Sequence, residues 1–270
     1  MKNYSVFILS DGIGETAYRM LKATMQQFPH DILITRYANV REESQIVEIW
    51  EAAVRNQTLV LYTFVSSRLR CFLRELAKDN EVECVDLLAP LMDKLSSFFQ
   101  SAPVAKPGLL HQVDEEYFAR MDAIKYAIRH DDSQTIDDID SADMVVVGVG
   151  RVGKTPLSIY LAQEGWKVAN FGIVSDVELP SQLARIDQRK IVGLLVDPKR
   201  LTEIRRVQLQ QEGDDDSSYA DLDRIEEELA YARALYEKNP LWSVIDVTGK
   251  SIEEISQQVL DGLFGKGRRL

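Results

Sequence analysis

The chain has 270 residues, of which 45% are hydrophobic and 28% are charged, as in a globular protein and unlike a disordered one. Its formal net charge of −11 at pH 7 argues against a general nucleic-acid-binding surface, which needs an excess of Lys and Arg. The two cysteines, Cys71 and Cys84, are too far apart for a CxxC redox pair and lie near no histidine that would suggest a zinc site.

No apolar run approaches the roughly 18 residues that a membrane-spanning helix needs. The first apolar segment has about six residues, too few for the core of a signal peptide. We therefore expect a cytoplasmic protein that associates with neither a membrane nor a nucleic acid. Its length suffices for one large or two modest α/β domains.

The first hundred residues alternate between short apolar segments and amphipathic segments. The apolar segments, which predict buried strands, are 4–9, 32–37, 58–64 and 82–87. The segments with helical spacing are 15–28, 42–54, 67–78 and 90–99. This alternation predicts a parallel sheet with helices on both faces. A stretch rich in Pro, Ala and Gly at 101–108 then indicates a linker.

A charged helix at about 114–129 and the acidic segment His130-Asp131-Asp132-Ser133 precede a second α/β series. The predicted strands of this series are 142–147, 168–173, 191–196 and 242–247. Its predicted helices are 154–164, 200–211, 218–238 and 251–263. The polar, glycine-containing segment 212–218 is predicted to be a mobile loop.

A glycine-rich segment between the strand at 142–147 and the next helix matches G-x-x-x-x-G-K-[ST] at every fixed position. Its residues are Gly148, Val149, Gly150, Arg151, Val152, Gly153, Lys154 and Thr155. Glycines let the backbone approach an anion closely, the Lys brings a positive charge to the phosphates, and the Thr hydroxyl ligates Mg²⁺. A chance match arises in roughly one chain in a hundred of this length. The motif therefore predicts binding of a nucleotide phosphate.

The predicted fold class is α/β. An N-terminal parallel-sheet α/β domain is expected at 1–105, and a connecting helix with an acidic loop at 106–140. A P-loop kinase-like, nucleotide-binding α/β domain is expected at 141–270.

Several charged residues are candidates for the same site, each with a simpler alternative. Arg151 lies within the loop and could reach transferring phosphoryl oxygens, or it is a solvated arginine. Arg205 and Arg206 lie beside segment 212–218, in a helix that either closes over the nucleotide or presents both side chains to solvent. Asp197 either holds Mg²⁺ through water or forms an Asp-Pro turn. The Asn-Lys-x-Asp motif of GTPases is absent from the sequence.

The sequence around the loop resembles the pyruvate, phosphate dikinase regulatory protein family. Residues 148–162 are similar to that family's Gly-x-Ser-Arg-x-x-Lys-Thr-Pro-x-Ser-x-Tyr-Leu-Ala signature. Further matching segments are 10–17, 106–111, 114–118, 130–132, 167–170, 245–248 and 250–254. The chain departs from the family pattern at Gly150, where serine is usual, and at Ser133, where glycine is usual.

The resemblance implies a bifunctional regulator. Such a protein serine/threonine kinase phosphorylates a threonine of pyruvate, phosphate dikinase with ADP, and it reverses this by transferring the phosphate to inorganic phosphate, which releases pyrophosphate. A sister group acts on phosphoenolpyruvate synthase, but segments 106–111 and 245–248 resemble the dikinase branch more closely. The expected ligands are ADP, Mg²⁺ and inorganic phosphate. The oligomeric state stays open, a homodimer being one option.

Roles follow from what phosphoryl transfer requires. Lys154 and Arg151 would neutralise charge, and Thr155 and Asp197 would hold Mg²⁺. Asp131 or Asp132 would accept the hydroxyl proton, the alternative being an acidic turn that caps a helix. The turn at 12–16 is either a second anion site, used to bind the phosphorylated partner, or ordinary strand–helix turn chemistry. A small-metabolite kinase and a nucleotide-sensing module without turnover are the rival functions.

Overall fold

A computed structural model describes most of the chain. The described residues are 4–78, 82–109, 115–133, 138–175, 177–212 and 217–265. The end of the motif at 106–111, the start of the helix at 114–129 and the centre of the predicted loop at 212–218 lie outside these ranges. Across the described part of the chain, no helix is long and apolar enough to cross a membrane.

The chain divides into two compact units, Met1–Gln112 and Val113–Leu270. The first unit contains a four-stranded parallel sheet with the strand order β2-β1-β3-β4. Its elements are β1 (Tyr4–Ser10), α1 (Glu15–Met25), β2 (Ile32–Tyr37), α2 (Glu43–Asn56), β3 (Leu59–Thr63), α3 (Ser67–Lys78), β4 (Cys84–Asp86) and α4 (Ala89–Phe99).

The central strand β1 is buried on both faces, because successive side chains point to opposite sides of a sheet. Val6 and Ile8 pack in one apolar cluster with Leu21 of α1. Phe7 and Leu9 pack in another cluster on α2 and α3. The helices therefore cover both faces of this sheet, as the apolar strands predict.

The second unit repeats this strand order, as β6-β5-β7-β8 in a parallel sheet. Its elements are α5 (Glu115–Arg129), β5 (Met144–Gly148), α6 (Lys154–Gln163), β6 (Val168–Gly172), β7 (Ile191–Leu195), α7 (Pro198–Glu212), α8 (Leu222–Lys238), β8 (Ser243–Asp246) and α9 (Ile252–Phe264). The predicted α/β class, with two parallel-sheet domains, is confirmed. Helix α5 packs on α6 through Ala123, Ala127 and Ala162, so it belongs to the second unit.

Tyr236 of α8 fixes the ends of the two central strands of the second sheet. Its hydroxyl lies 3.2 Å from the Val147 carbonyl oxygen and 3.1 Å from that of Leu194, and its single hydrogen is shared between these two acceptors. The ring packs so closely on Gly193 that a Cβ there would lie 2.7 Å from a ring carbon. This contact steadies β5 just before the glycine-rich loop.

Two helix boundaries differ from the predicted ones by three residues or more, and the others by at most two. The helix expected at 15–28 ends at Met25, and a turn follows before Pro29. The helix expected at 218–238 begins at Leu222, because the Asp221 side chain accepts a hydrogen bond from the Arg224 N–H and caps it. A 3₁₀ turn, Ser217–Ala220, occupies the preceding residues.

Candidate active site

The glycine-rich loop, residues 148–155, leaves the sheet at the point where the strand order reverses, so that β6 lies on one side of β5 and β7 on the other. It joins β5 to α6. In open parallel sheets, the crevice outside the carboxyl end of such a strand is the usual place for a ligand. The fold thus puts the motif where an α/β protein forms its site.

The backbone of the loop has the conformation that its glycines allow. Gly153 has φ 97°, in the left-handed region, and caps α6 without a side-chain acceptor for the first N–H groups of that helix. A Cβ on Gly148 would lie 2.8 Å from Cγ1 of Val152. Val149 and Val152 are themselves buried in the core. The two valines therefore anchor the loop and leave its backbone to meet a ligand.

Lys154 is buried at the start of α6, with 6% of its side chain exposed. Its Nζ donates to the Val149 carbonyl oxygen at 3.2 Å and lies 3.6 Å from Oδ1 of Asp132. Burial lowers the pKa of Lys154, and the nearby carboxylate of Asp132 opposes this shift. The ammonium group is thus held within the loop with only partial compensation of its charge.

Asp131 and Asp132 lie together in a 3₁₀ turn after α5, but their carboxylates have different surroundings. Oδ1 of Asp131 accepts hydrogen bonds from Oγ1 of Thr155 at 2.7 Å and from Nδ2 of Asn170 at 2.8 Å. Asp132 has φ 48°, a left-handed conformation that turns its carboxylate toward Lys154. With 63% of its side chain exposed, Asp132 is open to an approaching substrate, whereas Asp131 is tied to its neighbours.

Asn170 is a site residue that our sequence reasoning missed. It is fully buried in β6, and its amide binds Asp131, the Ser158 hydroxyl at 3.2 Å and the Asp132 N–H at 3.0 Å. The sequence does contain one sign of this role, because Asn170 is a carboxamide in a predicted strand of otherwise apolar side chains. A buried amide needs polar partners, so such a residue indicates a polar cluster nearby.

His130 is buried beneath the acidic turn and has structural contacts. Its ring stacks on Tyr126 with the centroids 3.8 Å apart. Nδ1 lies 2.9 Å from the Tyr126 carbonyl oxygen, and Nε2 lies 2.7 Å from Oδ1 of Asp138. These contacts support the turn that carries Asp131 and Asp132.

The predicted Mg²⁺ ligands have different surroundings. The Thr155 hydroxyl and the Asp131 carboxylate offer two oxygen donors 2.7 Å apart, the ligand type that Mg²⁺ prefers. Asp197 is instead the first residue before α7, where Oδ1 accepts from the Arg200 N–H at 2.9 Å and caps the helix. Within the described ranges, no group of three or more His, Cys, Asp or Glu side chains could hold a metal ion.

The predicted arginines are also in different environments. Arg151 is exposed in the loop, with φ 68°. Arg206 is exposed on α7. Arg205 is buried beside the loop and donates to the Gly150 carbonyl oxygen and to Glu228, so its guanidinium already serves protein acceptors.

The turn at 12–16 occupies, in the first unit, the same place in the strand order as the glycine-rich loop in the second. Gly14 has φ 77° and caps α1. The turn lines a cavity of about 420 Å³ together with Thr63 and Lys106. The nearby Asp11 accepts hydrogen bonds from the Val65 and Ser66 N–H groups, and burial raises the pKa of Asp11.

Residues 6–260 match the model of the kinase/pyrophosphorylase family. A relative from Geobacter sulfurreducens is 42% identical over 262 residues, which cover 96% of this chain and 97% of the relative. A relative from Bdellovibrio bacteriovorus is 41% identical over 261 residues, which cover 96% of this chain and 93% of the relative. Both relatives carry the provisional name pyruvate, phosphate dikinase regulatory protein. These matches confirm the resemblance found in the motifs, and the chain belongs to the kinase/pyrophosphorylase family of phosphotransferases.

Proposed function

We propose that this chain is a bifunctional regulator of pyruvate, phosphate dikinase. In one direction it phosphorylates a threonine of that enzyme with ADP, and in the other it removes the phosphate with inorganic phosphate and releases pyrophosphate. The observation that carries the proposal is the convergence of Lys154, Thr155 and the Asp131–Asp132 pair at one glycine-rich loop. The names of the relatives support the dikinase as the target.

The glycine-rich loop would hold the phosphates of ADP. Backbone N–H groups at the start of α6 would bind the phosphate oxygens, and Lys154 would neutralise their charge. Arg151 would approach from the exposed side of the loop. Mg²⁺, when bound, would add positive charge at the phosphoryl oxygens, with Thr155 and Asp131 as the residues that hold it.

Asp132 would act as the general base in phosphorylation. It would accept the proton of the threonine hydroxyl as that oxygen attacks the β-phosphorus of ADP, and AMP would leave. In the reverse reaction an oxygen of inorganic phosphate would attack the phosphothreonine, and Asp132 would return the proton to the departing threonine oxygen. Asp131 would position Thr155 and Asn170 and would take no part in proton transfer.

The assignment is tested by incubating the protein with ADP labelled in the β-phosphate and with purified dikinase or phosphoenolpyruvate synthase. We expect label on a threonine of the dikinase, and its loss with formation of pyrophosphate when inorganic phosphate is added. Label on the synthase alone would assign the sister target. Transfer from ATP to a small metabolite, or nucleotide binding without any transfer, would contradict the proposal.

Replacing Lys154 by Met should strongly reduce phosphoryl transfer and leave the fold intact. Losing a charge-assisted contact to the phosphates should lower kcat/KM by roughly a hundredfold or more. Because burial lowers the pKa of Lys154, its charge reduces the free energy of unfolding at every pH below that lowered pKa. The reduction disappears as the pH rises from there to 10.5, the pKa of the unfolded state. The urea-unfolding free energy of the variant at pH 7 should therefore equal or exceed that of the wild type. Wild-type activity in a folded variant would refute this role.

The same substitution at two adjacent residues separates their roles. Asp132→Asn removes the proposed base and should lower kcat by about 10²- to 10⁴-fold, with little effect on ADP affinity. Asp131→Asn disturbs the bonds to Thr155 and Asn170 and should weaken ADP binding in the presence of Mg²⁺. Steady-state kinetics and calorimetric titration measure both quantities. An Asp132→Asn variant with unchanged kcat would rule out Asp132 as the base.

A further inference from the structure

We propose that Arg205 and Glu228 form a positioning pair that fixes the Gly150–Arg151 peptide of the glycine-rich loop in the orientation needed to bind phosphate. The pair acts through the loop backbone and does not touch the ligand. This inference rests on the proposed function, because it requires that the loop bind phosphate.

The guanidinium of Arg205 binds three groups at once through four hydrogen bonds. Nη2 donates to the Gly150 carbonyl oxygen at 3.1 Å and to Oε2 of Glu228 at 2.7 Å. Nη1 donates to Oε1 of Glu228 at 3.1 Å and to the Tyr219 carbonyl oxygen at 3.1 Å. Only arginine carries a rigid fork that can bind a carboxylate with two bonds and a backbone oxygen as well.

Net stability alone is a weak reason for such an arrangement. The Arg205 side chain is 1% exposed and that of Glu228 is 21% exposed, so both charges lose most of their hydration. For a pair of this kind the desolvation cost offsets most of the attraction, and apolar residues of similar size often stabilise a fold equally well. What apolar residues cannot provide is a donor to the Gly150 carbonyl.

The bond to Gly150 fixes more than one atom of the loop. In a trans peptide the carbonyl of one residue and the N–H of the next point in opposite directions. By holding the Gly150 carbonyl, Arg205 also sets the direction of the Arg151 N–H. Arg151 has φ 68°, which is unfavourable for a side chain other than glycine, so this peptide needs an external contact to keep its conformation.

Tyr219 lies beside the Gly150–Arg151 peptide and packs against the guanidinium of Arg205. The guanidinium of Arg205 lies over the Tyr219 ring, 4.3 Å from its centroid. The Tyr219 hydroxyl lies 3.0 Å from the position that a Cβ on Gly150 would occupy. A side chain at residue 150 would contact the Tyr219 hydroxyl closely. Through the stacked guanidinium, this contact would disturb the hydrogen bond from Arg205 to the Gly150 carbonyl.

The test is the affinity of the full-length protein for inorganic phosphate and for ADP, measured by calorimetric titration on Arg205→Lys. Lysine keeps the charge but lacks the planar fork that binds both oxygens of Glu228 and the Gly150 carbonyl in one fixed geometry. We expect the affinity for each ligand to fall about tenfold, the effect of one lost or misdirected hydrogen bond to phosphate. The matched control is Arg200→Lys on the exposed part of the same helix, where Arg200 pairs with Glu203 and affinity should not change.

Unfolding in urea, measured on the same samples, separates positioning from stability. A purely structural pair would lower the unfolding midpoint and leave the affinity of the folded protein unchanged, which would overturn the inference. If Arg205→Lys does not fold, Glu228→Gln decides in the same way, because it keeps the shape of the pair and weakens its hold on the guanidinium. Wild-type protein that binds neither ligand would overturn the proposed function and this inference with it. Wild-type binding with unchanged affinity in the variants would overturn the inference alone.

Discussion

The carboxylate of Asp131 holds together three segments of the second unit that are distant in sequence. It accepts from Thr155 at the start of α6 and from Asn170 of β6, while the turn that carries it follows α5. Because a buried amide and a hydroxyl both need acceptors, this one group fixes how the turn, the loop and the strand lie relative to each other. The placement of Asp132 beside Lys154 depends on it, since the Asp132 N–H is itself bound to Asn170.

Two features of the site oppose folding, and both are suited to phosphate. Lys154 is buried with incomplete charge compensation, and Arg151 holds a left-handed backbone conformation. A phosphate ligand would supply the missing negative charge, and it would meet donors that are already oriented. Val149 and Val152 anchor the loop in the core, and Tyr236 fixes the end of β5 just before it. On the other side, Arg205 of α7 binds the Gly150 carbonyl. We infer that the packing of the second unit offsets the free-energy cost of holding this loop in a conformation that can bind phosphate.

The parts of the site that obey local rules could be predicted from the sequence. The loop motif needs glycine, lysine and threonine at fixed spacing, and apolar periodicity located the strands that carry it. Contacts set by tertiary packing could not be predicted. Asn170 is 39 residues from Asp131, and Glu228 is 23 residues from Arg205, so nothing in the local pattern pairs them. Arg205 was expected either to face the nucleotide or to point to solvent, and in the fold it is buried and contacts the loop backbone. The start of α8 was misplaced because Ser218 and Asp221 are both suitable helix caps.

We infer that the same loop would hold ADP in one reaction and inorganic phosphate in the other, because backbone N–H groups recognise the anion. The two ligands would then exclude each other, since two phosphates cannot occupy the same few ångströms. Steady-state inhibition of the dephosphorylation reaction by ADP tests this most directly. If the loop is shared, ADP raises the apparent KM for phosphate and leaves the maximal rate unchanged. A non-competitive pattern, with a lower maximal rate and an unchanged KM, would contradict it and would assign the phosphate to a separate site such as the turn at 12–16.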